Sequence, residues 1–118
     1  MDIIPIQQRI EMLIDKLEKV RASIRERGED RAQAATDYDM MMAQTLIGLR
    51  NGKEYELNGE RICNPPATIM KEIAKGLCWE AKLASEKADA LYKSAITNQE
   101  NIMAQLNAFQ SLFRHLER

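Results

Sequence analysis

From Leu77 to Leu116 the chain contains neither proline nor glycine, and apolar or small side chains recur along it at helical spacing. They fall at Leu77, Ala81, Ala84, Ala88, Leu91 and Ala95, then at Ile102, Leu106, Phe109, Phe113 and Leu116. Steps of four and three keep such positions on one stripe of an α-helix. At 1.5 Å per residue the uninterrupted run would extend roughly 60 Å. A helix with one oily stripe is not stable alone in water, so the stripe requires a partner surface.

A second stripe of the same kind opens the chain. Ile6, Ile10, Leu13, Leu17, Val20 and Ile24 follow one another at steps of 4, 3, 4, 3 and 4, a heptad seam of β-branched and leucine side chains. Asp2 suits a helix cap and Pro5 an early helical position. The segment RERGEDR (25–31) interrupts the pattern: Gly28 weakens a helix by about 1 kcal/mol relative to alanine, and Asp30 with Gln33 resembles a capping box. A kink or a junction of two helices is expected there. Ala35, Tyr38, Met42, Leu46 and Leu49 then resume a stripe up to Arg50, and Met40-Met41-Met42 places soft side chains on several faces.

Asn51-Gly52 supplies a stop, glycine being the usual residue just past a helix C-terminus. The segment KEYELNGERIC (53–63) reads as a β-hairpin. Tyr55, Leu57 and Ile62 alternate with charged residues around Asn58-Gly59, the dipeptide that most favours a two-residue turn. A two-stranded ribbon is marginal by itself, so it should lie on the helices or pair with another copy. Asn64-Pro65-Pro66 ends the ribbon, and a final helix over 66–117 is expected, with a bend or break at Gly76. Asn98 occupies a seam position, either as a register-fixing buried asparagine or because the register shifts near 98–102.

The expected fold is therefore all-α: an elongated antiparallel helical hairpin or bundle with a small β-hairpin connecting the long helices. The chain reads as one domain over 1–118, comprising a heptad helix (1–27), a second helical segment (30–50), the hairpin (53–63) and the C-terminal helix (66–117). Its two stripes offer more apolar edge than one copy is expected to cover. A homo-oligomer, dimer or higher, is expected through Ile6, Ile10, Leu13, Leu17, Val20 and Ile24, together with Leu106, Phe109 and Phe113.

Seventeen basic and eighteen acidic residues give a formal charge of −1, which argues against double-stranded DNA as a partner. No apolar run approaches the roughly 20 residues of a membrane span, and the N-terminus lacks the features of a signal peptide. Cys63 and Cys78 stand fifteen apart with no CxxC pair and a single histidine, His115, so neither a metal site nor a disulfide is expected. Phosphate loops, HExxH and nucleophile-elbow motifs do not occur, and no cofactor is implied. The chain is read as a non-enzyme.

One cluster points to a ligand. Lys71, Lys75, Trp79 and Lys82 would share a helix face, with Arg50 and Arg61 able to approach from the adjoining ribbon. Cations beside an indole suit a phosphate or nucleotide through charge and stacking together. An ordinary solvated face, with Trp79 packed on Tyr55 or Leu57, accounts for the same spacing.

Tyr38 and Ala43 leading into LIGLRNG (46–52), the IMKEIAKG block (69–76), Ala81, Ala84, Ala88, Tyr92-Lys93 and the closing QLNAFQSLFR (105–114) carry a resemblance over about residues 35–115. In these features the chain resembles a family of small, uncharacterised bacteriophage and prophage proteins. The hairpin between Gly52 and Pro65 departs from that pattern, where a shorter connection is expected. The resemblance implies an accessory protein in the cytoplasm of an infected bacterial host, without an assigned activity.

Three readings follow. The first is a non-enzymatic accessory that binds a host or phage protein as a helical oligomer. The second is an anti-defence protein that sequesters a small anionic nucleotide through the Lys71, Lys75, Trp79 and Lys82 face. The third is a recombination or replication accessory that touches single-stranded nucleic acid.

Overall fold

A computed structural model describes residues Ile3–Glu117. Its elements are α1 (Ile3–Arg50), β1 (Tyr55–Leu57), β2 (Glu60–Ile62), α2 (Met70–Leu77) and α3 (Trp79–Glu117). The fold is all-α, two long helices and a short one, with the expected β-hairpin between them. The chain forms two compact units, one from its two ends up to Glu29 and from Ala90, the other from Asp30–Asp89.

In the first unit the heptad seam of α1 meets the C-terminal half of α3. Leu13, Leu17, Ile102 and Leu106 form one buried cluster, with Ile10, Val20 and Phe109 packed against it. The Arg9 guanidinium lies 5.8 Å from the Phe109 ring centre, and Gly28 faces Tyr92. Rising numbers on one helix thus meet falling numbers on the other, so the pairing is antiparallel. Fully burying a leucine contributes about 1.5–3 kcal/mol, and these residues supply the principal apolar core here.

This packing corrects the assembly argument drawn from the sequence. Ile6, Leu13, Leu17 and Leu106, assigned to an interface between copies, are buried inside the single chain, and Ile10, Val20, Ile24, Phe109 and Phe113 are half-buried. The partner that the stripe required is the other helix of the same molecule.

Two further corrections concern breaks. α1 runs through Gly28 without interruption, and Pro5 sits in its first turn, while Asp2 lies outside the described residues. The later break is at Cys78 rather than Gly76, and α2 begins at Met70, after a turn closed by Ile69 N–H donating to the Pro66 carbonyl at 3.1 Å. Cys78 has φ −97° and ψ 22°, off the helical value of ψ. Its N–H still donates to Ala74 O and its carbonyl accepts from Lys82 N–H, both at 3.0 Å.

The second unit closes around the hairpin. Lys53 N–H donates to Gly48 O and Gly52 N–H to Leu49 O, with Gly52 at φ +79°. This is the paired-bond terminus that satisfies the last carbonyls of a helix and needs a left-handed residue. Asn58 and Gly59 have φ of 52° and 82°, as a two-residue hairpin turn demands, and Tyr55 pairs with Ile62, Glu56 with Arg61 and Leu57 with Glu60. The ribbon rests on its own helices. A methyl group on Gly48 would overlap the Tyr55 hydroxyl, and one on Gly76 would lie 3.2 Å from Leu57 Cδ2. Glycine at 76 is therefore a seat for Leu57 rather than a helix break. Leu49, Ala74 and Cys78 are almost wholly buried, and the Thr45 hydroxyl lies 3.4 Å from Cys78 Sγ.

The stripe on α3 is also shifted. Ala84, Leu91 and Asn98 are exposed, while Ser85, Tyr92 and Gln99 turn inward. The inward set Ala81, Ser85, Ala88, Tyr92, Ala95, Gln99, Ile102, Leu106, Phe109, Phe113 and Leu116 alternates four and three throughout, in phase with Cys78 before it. On α1 the inward residue is Ala34 rather than Ala35.

The two helical glycines of α1 should respond oppositely to alanine. At Gly28 the nearest atom to an added methyl is Tyr92 Cε2 at 3.5 Å, ordinary contact. Gly28→Ala should stabilise the protein by about 0.5–1 kcal/mol. At Gly48 the overlap with Tyr55 outweighs the propensity gain, and Gly48→Ala should cost about 1–3 kcal/mol. Adding Tyr55→Phe should recover part of that loss, and urea denaturation of the four proteins reads the coupling.

Candidate functional site

The residues Glu72, Gly76, Trp79, Leu83 and Glu86 follow at steps of 4, 3, 4 and 3 across the α2–α3 junction. The bonds through Cys78 carry the helical hydrogen-bond pattern over the break, so these residues share one outer stripe. With Lys75 and Lys82 they line an open groove in the Asp30–Asp89 unit. Trp79 is 54% exposed and Leu83, one turn on, 42% exposed. The indole stays about half exposed, with Leu57 lying over Gly76 one turn before it and Tyr55 over Gly48.

Of the six residues expected to bind an anion, the structure brings Lys75, Trp79 and Lys82 together along this groove. Lys71, Arg50 and Arg61 do not line it. Arg61 Nη2 instead lies 2.9 Å from Glu54 Oε2 across the base of the hairpin, and Lys75 Nζ lies 3.7 Å from Glu72 Oε1. Two carboxylates, Glu72 and Glu86, stand beside the two lysines of the groove, so its charge is balanced. Those two acids lie seven residues either side of Trp79, a signal that counting cations alone passes over. A multiply charged anion would meet repulsion as well as attraction here.

Cys63 is an exposed free thiol beside Asn64, whose Nδ2 lies 3.6 Å from its sulfur, and Cys78 is a buried free thiol. Among the described residues no group of three or more His, Cys, Asp or Glu side chains is placed to hold a metal ion. No described helix is long and apolar enough to cross a membrane. Of the methionine triplet, Met42 is half-buried, whereas Met40 and Met41 are exposed. Compared with known protein families, curated proteins and solved structures, the chain matches none.

What the groove offers chemically is an aromatic and an aliphatic side chain one turn apart, with charges of both signs at their edges. Large apolar groups left in water are the raw material of recognition surfaces, aromatic ones above all. Since Trp79 is not part of the core, Trp79→Ala should change unfolding free energy by less than about 0.5 kcal/mol. Leu49→Ala, at a site 1% exposed, should cost about 2–5 kcal/mol. Thermal and urea melts of the two variants check the contrast.

Proposed function

We propose that the chain is a non-enzymatic binding protein that recognises a protein partner through the Trp79 groove. The exposed indole carries this reading: a tryptophan in the middle of a groove, followed one turn later by Leu83, is a ready anchor pair for another polypeptide. The partner that fits is an amphipathic helix with apolar residues one turn apart and charges of both signs at its margins, matching Glu72, Lys75, Lys82 and Glu86. Tryptophan supplies large contact area with little conformational entropy to lose. Sequestration of a small anionic nucleotide has weaker support, because carboxylates share the groove with its lysines. The bacteriophage setting and the host cytoplasm rest on the sequence resemblance alone.

A photo-reactive amino acid at Leu83 tests the reading in living cells. Illumination should give one discrete adduct, absent when the same probe replaces exposed Asn107 on α3. With the partner identified, Trp79→Ala should weaken binding by about thirtyfold, the scale of a hot-spot residue at 2 kcal/mol. Adducts of equal yield and pattern at both positions, or affinity unchanged by Trp79→Ala, would refute it. A thermal shift produced by a nucleotide and lost in Trp79→Ala would favour sequestration instead.

A further inference from the structure

Good helix formers give way to poor ones over two turns of α3. Its exposed positions from Glu80 to Lys93 hold glutamate, lysine, alanine and leucine, and no serine, threonine or asparagine. From Ser94 to Asn101 every exposed residue but Glu100 is one of those three: Ser94, Thr97, Asn98 and Asn101. Such side chains lose rotamer freedom in a helix or compete for its backbone, and they favour it less than the residues before them. A conflict of this kind on an exposed face, where packing dictates nothing, is characteristic of functional positions.

The four residues lie within one turn of each other and line a groove of about 580 Å³ in the unit formed by the chain ends. On the α1 bank Ser23 and Arg27 follow at a step of four, both half-buried, and Val20 and Ala95 supply an apolar floor. Among the described residues no carboxylate and no aromatic lines this groove. None of its six polar side chains is engaged in a hydrogen bond or ion pair among those residues, although Asp30 stands one turn beyond Arg27 on α1. Past Asn98 and Asn101 the groove continues to Lys16 and Lys19, the latter one turn from Asp15. The Arg27 guanidinium is therefore the charge on which the groove centres.

A guanidinium grips an oxyanion through two parallel N–H groups, and the Ser23 hydroxyl, one turn away, is placed to add a third donor. Hydroxyls and carboxamides both donate and accept, as the hydroxyls of a polyol do. A nucleotide is less well matched, because no ring is present on which its base could stack. We propose that this groove binds a small polyol bearing one oxyanion group, phosphate or carboxylate. Arg27 and Ser23 hold the head, and Ser94, Thr97, Asn98 and Asn101 hold the hydroxylated body. The Trp79 groove belongs to the other unit, and the two proposals stand or fall separately.

Titration calorimetry of the full chain tests head and body separately. The probes are the terminal phosphates of glycerol, ribose and glucose, together with glucuronate; the controls are the three parent polyols and inorganic phosphate. At least one probe should bind, the tighter class identifying the head group, and every control should bind at least about tenfold more weakly, the scale of one charge-assisted hydrogen bond. Arg27→Gln should weaken binding at least about tenfold for the same reason. Asn98→Ala with Asn101→Ala should weaken it comparably and yet raise the melting temperature of the free protein, since alanine is the better helix former. Circular dichroism confirms that each variant folds, and Trp79→Ala should leave the affinity unchanged. Absence of binding by every probe overturns the proposal, as does inorganic phosphate binding as tightly as the phosphorylated polyols, or affinity that survives in both variants. An oligonucleotide shift abolished by Arg27→Gln, with no probe bound, would also overturn it and assign the groove to nucleic acid.

Discussion

In the unit built from the chain ends, two long helices hide their oily edges against each other. Among the described residues, those that cover the α1 seam there lie on α3, and burial is complete only along the centre line. Leu13 and Leu17 reach it, while Ile10, Val20 and Phe109, one step off the line, remain half-buried. A helix pair leaves a groove on each flank of its seam, and what lines those grooves is free to specialise. One flank here is lined by cationic and amide side chains, the other by Gln7, Glu11, Gln110 and Phe113.

The seam changes chemistry along its length, and the two compact units reflect that. The inward residues of α3 are Ala81, Ser85 and Ala88 near its start and Ile102, Leu106, Phe109, Phe113 and Leu116 near its end. Small side chains bury little area per residue, so the Asp30–Asp89 unit needs other ties. Arg31 Nε lies 2.7 Å from Asp89 Oδ1, a pair exposed enough to contribute at most about 1 kcal/mol. More comes from the hairpin, whose Tyr55 and Leu57 close over Gly48 and Gly76, and from Leu49, Ala74 and Cys78 beneath it. The glycines permit the approach and the ribbon supplies the bulk that alanine and serine lack.

This explains which parts of the fold were legible beforehand. The α1 seam and the Asn58-Gly59 hairpin were readable because periodicity and turn chemistry agreed with burial at every residue. On α3 an apolar criterion chose Ala84 and Leu91, whereas stepping back from Ile102 by three and four arrives at Gln99, Ala95, Tyr92, Ala88 and Ser85, the residues that turn inward. Phase was the better guide, and polarity misled. The same holds at Gly28. Local propensity suggested an interruption, yet the phase set by Val20 and Ile24 continues through Arg27 and Arg31 to Ala34 and Tyr38. One glycine costs about 1 kcal/mol, too little to stop a helix held by packing on either side. The burial of Ile6–Ile24 within one chain was not legible, because a heptad seam reads the same whether its partner is another copy or a later segment of the same chain.

Charge shows the same limit. A net charge of −1 says that acids and bases nearly cancel, and says nothing about where they stand. Around Trp79 they are interleaved: Glu72 lies 3.7 Å from Lys75, and Glu86 follows Lys82 by one turn. In the other unit Lys16, Lys19 and Arg27 line a groove that holds no carboxylate among the described residues, although Asp15 stands one turn from Lys19 on α1. Interleaved charges screen each other and suit a neutral, mostly apolar contact edged by ion pairs. The two surfaces thus differ in charge although they draw on the same residue types, and the difference arises from which turn of which helix each charge occupies.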